Sequence, residues 1–98
     1  MNQRNYYVYI LASGICGTLY IDITSNLQKR VSEHKNKVFE RFTKKYDADK
    51  LVHYEPFDDP ENAIKREKRL KHWNRKWKLD LIQKHDPDWK DLYEEICG

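Results

Sequence analysis

No apolar stretch in the sequence is long enough to cross a membrane. The longest run, Tyr6 to Ala12, has seven residues, against about 20 for a spanning helix. Arg4 precedes that run as it would in a signal peptide. The run is short and aromatic, however, and a second strand-like segment follows without a small-residue cleavage pattern, so no signal peptide is expected. Cysteine is scarce: Cys16 and Cys97 are the only two, and their spacing is not of a metal-binding type. With no secretory context, free thiols and a cytoplasmic location are expected. Three glycines and three prolines exclude collagen-like and low-complexity chains. Gly14 and Gly17 are too sparse for a phosphate-cradling loop with its lysine, and there is no His-Glu-x-x-His or Cys-x-x-Cys. No nucleophile elbow supports a Ser-His-Asp triad.

What the sequence does contain is charge and aromatic rings. Hydrophobic residues are 39% and charged residues 36%, yet 13% are aromatic, including seven Tyr and three Trp. Disordered chains are poor in aromatics, so a compact core inside a charged shell is expected. At 98 residues there is room for one core. A single domain spanning 1–98 is expected, with its core at about 5–84 and an acidic, aromatic C-terminal helix at about 86–96. The net charge of +3 is unevenly spread: residues 62–78 hold eight Lys/Arg against the single Glu67. Residues 28–50 hold eight against four acids, and residues 85–98 hold five acids against Lys90. A basic surface opposite an acidic end suits a polyanion-binding protein; a solvated helix face is the plainer alternative.

Residues 6–11 are aromatic and β-branched and predict a strand covered on both faces. Residues 18–24 alternate cleanly, with Leu19, Ile21 and Ile23 on one face and Tyr20 and Asp22 on the other. A short loop over 13–16 would make a hairpin with Tyr9 directly across from Tyr20. Thr24 or Ser25 can cap a helix running to about Lys35, with Leu27, Val31 and Val38 as its apolar stripe. Residues 36–48 read as a basic loop or irregular helix. A third strand over 51–54 ends at Glu55-Pro56. Asp59-Pro60-Glu61 is a strong helix start, with Ala63, Ile64, Glu67, Leu70 and Asn74 as the inner stripe. A further helix near 75–84 places Trp77 and Leu81 inward, with Leu79 and Ile82 as further candidates.

Three polar residues stand where these patterns want apolar ones: Arg30, His34 and Glu67. Burying a charge costs several kcal/mol unless it is paired. One reading is an internal Arg30–Glu67 ion pair with a satisfied core histidine. The other is a cleft in which a cation, a base and a carboxylate converge beside two phenols.

The set Tyr7-Val8-Tyr9, Tyr20-Ile21-Asp22, Arg30, His34 and Glu67 resembles the GIY-YIG nuclease superfamily. It is most similar to the small stand-alone bacterial members described as endonucleases or excinuclease-subunit-C-like. The likeness covers about residues 5–90. It implies an α+β fold, a small three-stranded antiparallel sheet flanked by helices in the order β-β-α-β-α-α, and metal-dependent hydrolysis of phosphodiesters. Glu67 would be the only protein ligand of Mg²⁺ or Mn²⁺. Arg30 would bind the scissile phosphate, Tyr20 or Tyr9 would be the general base, and His34 would hydrogen-bond to it or relay its proton. Arg30 and the metal would lower the pKa of that tyrosine. Asp22 stands where the family has glycine and Tyr7 where the first tripeptide begins with glycine; Asp22 is therefore expected to modulate the site. Asn74 is not aligned to any family asparagine.

The expected partner is DNA, including branched or single-stranded forms, with RNA an open alternative. No membrane partner is expected, and no protein partner is identified. Lys65, Lys68, Lys71, Arg75 and Lys78 would contact phosphates, giving low intrinsic sequence specificity. The alternatives are a nucleic-acid-binding module that cleaves weakly or not at all because of Asp22, and an interaction domain in which Arg30 and Glu67 form a plain ion pair.

Overall fold

A computed structural model describes residues 6–36 and 48–97. Its elements are β1 (Tyr6–Ala12), β2 (Leu19–Thr24), α1 (Leu27–Lys35), β3 (Lys50–Phe57), α2 (Pro60–His72), α3 (Arg75–His85) and α4 (Tyr93–Cys97). The three strands form one antiparallel sheet in the order β2-β1-β3. β1 is therefore central, which explains why both its faces are apolar. Val8, Ile10 and Ala12 join Ile21, Ala63, Leu70 and Ile82 in one core cluster, beneath α2 and α3. Tyr9 and Leu11 join Leu27, Val31 and Leu92 in the other, beneath α1. No helix among the described residues is long and apolar enough to cross a membrane. Cys16 and Cys97 are exposed free thiols.

The hairpin loop is longer than the sequence suggests. Ala12 pairs with Leu19 and Tyr9 with Asp22, so Tyr9 and Tyr20 lie diagonally and not opposite. The turn spends the extra residues on its own closure: Gly17 N donates to Gly14 O at 3.0 Å, and Thr18 N to the Ser13 hydroxyl at 2.9 Å. A Cβ at Gly17 would meet Ser13 Oγ at 2.2 Å and the Gly14 backbone nitrogen at 3.0 Å, so a side chain there would push the Ser13 hydroxyl off Thr18 N and crowd the turn. Because the register moves by two residues, every side chain keeps its face.

Asn26 caps α1, accepting from Lys29 N at 3.1 Å, while Thr24 Oγ1 accepts from Asn26 N one step earlier. β3 runs through Glu55-Pro56 to Phe57. It is an edge strand, so the missing N–H of Pro56 need cost no ladder bond. A bulge in β3 sets Leu51 opposite Leu11 and His53 opposite Ile10, with Val52 the extra residue. Asp59 caps α2 as its sequence predicts. Ile64, however, is exposed, and Asn74 caps α3. Ile82 is the fully buried residue of α3, whereas Trp77 is 54% exposed. The C-terminal helix is confined to Tyr93–Cys97, because Trp89, buried with φ of 55°, interrupts the backbone before it. Val38 and most of the basic segment after α1 lie outside the described residues.

Candidate active site

Alternation along β1 and β2 sends Tyr9, Tyr20 and Asp22 to the sheet face covered by α1. Arg30 and His34, one turn apart, meet them from α1. Tyr9 is fully buried, and its hydroxyl shares a 3.1 Å hydrogen bond with Nε2 of the buried His34. The rings of Tyr20 and His34 meet edge to face at 5.1 Å, and those of Tyr9 and Tyr20 lie 6.4 Å apart. Tyr20 Oη donates to Asp22 Oδ2 at 2.8 Å, and Asp22 Oδ1 accepts from Ile23 N at 2.8 Å. Arg30 stands 3.9 Å from Asp22 and 3.7 Å from Glu33. Its side chain also lines an open cleft with Thr24, Ser25, Asn26 and Lys29.

Glu67 comes from the opposite layer, between Ala63 and Leu70 on the buried face of α2. Its Oε2 pairs with Lys71 Nζ at 2.5 Å. Lys71 and Lys78 line a cleft of about 260 Å³ with Leu19, Tyr20 and Ile21. Because β2 is an edge strand, this cleft wraps its outer rim and brings the α2 side within electrostatic reach of Tyr20.

Burial raises the pKa of both phenols. For Tyr9 the charges of Asp22 and Tyr20 add to burial, while Arg30 opposes them. For Tyr20 the hydrogen bond to Asp22 and the charges of Asp22 and Glu67 add to burial, again against Arg30. Arg30 thus acts in the direction the sequence suggests, but burial and Asp22 outweigh it. Burial, helped by Arg30, pushes His34 down to about 4, so its imidazole is neutral near pH 7.

The donors suit a hard cation. Glu67 offers a carboxylate, and among the described residues no three His, Cys, Asp or Glu side chains group as a metal cage. One carboxylate with water and phosphate oxygens is a usual arrangement for Mg²⁺ and not for structural zinc.

Of the basic residues singled out from the sequence, Lys68 is exposed, and Lys65 is exposed beside Glu61. Lys71 and Lys78 flank Tyr20. Arg75 donates to the carbonyls of Cys16 and Gly17, the latter at 2.7 Å, and so pins the hairpin turn to α3. That role is tertiary, and no local pattern announces it. The Glu67–Lys71 pair was readable as an i,i+4 spacing. A further network also escaped the sequence: Arg66 binds both oxygens of Glu55, at 2.8 and 3.0 Å, and Glu55 Oε2 accepts from His53 Nε2 at 2.7 Å.

A tyrosine on each hairpin strand, arginine and histidine on the next helix, and glutamate on the long helix after a third antiparallel strand lie on a GIY-YIG-type fold. The chain belongs to the GIY-YIG catalytic domain family, which matches residues 5–80. Its relatives include a UPF0213 protein of Syntrophus aciditrophicus (strain SB), 40% identical over 81% of this chain and 91% of the relative. A UPF0213 protein of Clostridium perfringens is 35% identical over 92% of this chain and 96% of its own length. The solution NMR structure of the UPF0213 protein BH0048 from Bacillus halodurans is similar at a TM-score of 0.55 and 26% identity, covering 88% of this chain and 90% of that one.

Proposed function

We propose that the chain is a metal-dependent endonuclease that hydrolyses nucleic-acid phosphodiesters with low sequence specificity, as in the small stand-alone GIY-YIG proteins it resembles. The observation that carries this reading is the convergence of Tyr9, Tyr20, Arg30 and His34 on one sheet face beside the rim from which Glu67 and Lys71 approach. Arg30 binds the scissile phosphate by charge-assisted hydrogen bonds and stabilises charge developing on its oxygens. Tyr20 is the more accessible phenol, because it lines the rim cleft while Tyr9 is fully buried. In its phenolate form Tyr20 takes the proton of the attacking water. Neutral His34 fixes the Tyr9 hydroxyl behind it. Glu67 would hold Mg²⁺ or Mn²⁺, with Lys71 giving up its contact. The ion, when bound, neutralises phosphate charge. Lys65, Lys68, Lys71 and Lys78 add phosphate contacts, which position a strand without reading its sequence.

A second reading rests on one contact set. Asp22 accepts the Tyr20 hydroxyl and faces Arg30, the two groups that hydrolysis needs. The chain is then a nucleic-acid-binding module with restrained cleavage. Nicking of supercoiled DNA in Mg²⁺ or Mn²⁺, compared with EDTA and with Glu67→Gln, tests the first reading; salt-dependent binding without nicking would favour the second.

A further inference from the structure

We propose that Trp77, backed by Trp73, is a stacking platform for an unpaired base of a nucleic-acid strand. The proposal deepens the nuclease reading by naming an unpaired strand as what the domain receives.

Trp77 is 54% exposed on the first turn of α3, although the helix buries Ile82 completely. The indole does not stand alone. It meets Trp73 edge to face, with ring centres 5.8 Å apart and planes at 88°. Trp73 packs against the core and carries the Arg66 guanidinium 5.2 Å from its ring centre. Arg66 is itself held by both oxygens of Glu55. The exposed ring therefore rests on a braced one, which lowers the ordering cost of stacking. The two indoles line a cleft of about 270 Å³ with Asp80, Leu81 and Lys84. That is below the roughly 300–1,000 Å³ of sites for whole small ligands and suits one planar group.

The surroundings select the partner by charge. Residues 62–78 hold eight Lys/Arg against Glu67, and the carboxylate of Asp80 is matched by Lys76 at 3.1 Å. A polyanion carrying planar rings fits this surface. Trp73 is the C-cap of α2, the helix that carries Glu67.

The test is binding of a fluorescent oligothymidylate and of a blunt duplex of equal length, in EDTA, to the parent, Trp77→Ala and Trp77→Phe. Loss of one stacked base should weaken oligothymidylate binding by about fivefold to 150-fold in Trp77→Ala. Duplex binding should change by less than about twofold, and Trp77→Phe should recover most of the loss. Thermal unfolding of the variants checks that the fold persists. Equal oligothymidylate affinity in Trp77→Ala, or equal loss on both probes, would overturn the proposal. So would unchanged oligothymidylate binding alongside loss of self-association, which would assign the surface to a second copy of the chain. Plasmid nicking by the parent is scored separately: Trp77-dependent binding without nicking keeps the platform and sinks the nuclease, and the reverse pattern does the opposite.

Discussion

Replacing Asp22 by glycine should accelerate metal-dependent nicking, and the size follows from two contacts. The Tyr20 hydroxyl donates to Asp22 at 2.8 Å. A hydrogen bond to a charged acceptor is worth about 1.5–3 kcal/mol, or about one to two pKa units. Its removal should make Tyr20 phenolate roughly tenfold to a hundredfold more available near neutral pH. Asp22 also faces Arg30 at 3.9 Å, with side chains 28% and 33% exposed. Unit charges at that distance attract by about 4 kcal/mol at an effective dielectric of about 20, but pairs this wet retain about 1 kcal/mol or less. Releasing Arg30 should therefore tighten substrate binding by about fivefold at most. Glycine inside a strand costs about 0.5–1 kcal/mol of stability relative to alanine, so circular dichroism must show the variant folded. The assay is the initial rate of plasmid relaxation against pH, with the rise expected at lower pH in Asp22→Gly. Asp22→Asn, which keeps size but not charge, should fall between. An unchanged rate would refute the restraint. A slower rate with a higher metal requirement would make Asp22 a ligand instead.

Tyr20→Phe should cut the cleavage rate by about 10² to 10⁴ while leaving DNA binding intact, the usual worth of general-base catalysis; a loss below threefold would remove that role. His34, with its pKa pushed down to about 4, stays neutral in the fold while the unfolded chain takes up a proton below about 6.5. Stability should thus fall as pH drops from about 6.5 to about 4, by up to roughly 3 kcal/mol from this group, and urea melts of His34→Gln should be flatter across that window. If about four phosphates are neutralised, log K against log salt should slope at roughly −3.6. Lys65→Glu and Lys68→Glu should each lower that magnitude by about one. Arg75→Ala, whose guanidinium holds two turn carbonyls, should leave the slope within half a unit and instead cost about 1–3 kcal/mol of stability.

The faces of the fold were legible because they depend on period alone. Alternation put Tyr20 and Asp22 together, and the double-faced apolar run marked β1 as a strand covered on both faces. Register was not legible: the six-residue turn closes through Ser13 and Gly17 side-chain and backbone contacts that no short pattern encodes. The same holds for β3, where the sequence stops the strand at Pro56 and only its edge position lets it continue. Arg30, His34 and Glu67 stood out because polar residues interrupted apolar stripes. The contact of Arg30 with Asp22 did not stand out, since it is made by tertiary placement, whereas Lys71 follows Glu67 at an ordinary i,i+4 spacing. Trp77 misled for a related reason: an indole at helical spacing reads as core whether or not a neighbouring element covers it.

Whether Glu67 serves a metal at a hydrolytic site is tested most directly by one measurement. Supercoiled plasmid is incubated with the parent and with Glu67→Gln across a titration of Mg²⁺ and Mn²⁺, with EDTA as the blank and circular dichroism confirming both folds. Metal-dependent nicking is expected from the parent, and none from folded Glu67→Gln at any metal concentration. Equal nicking by the two proteins would contradict it.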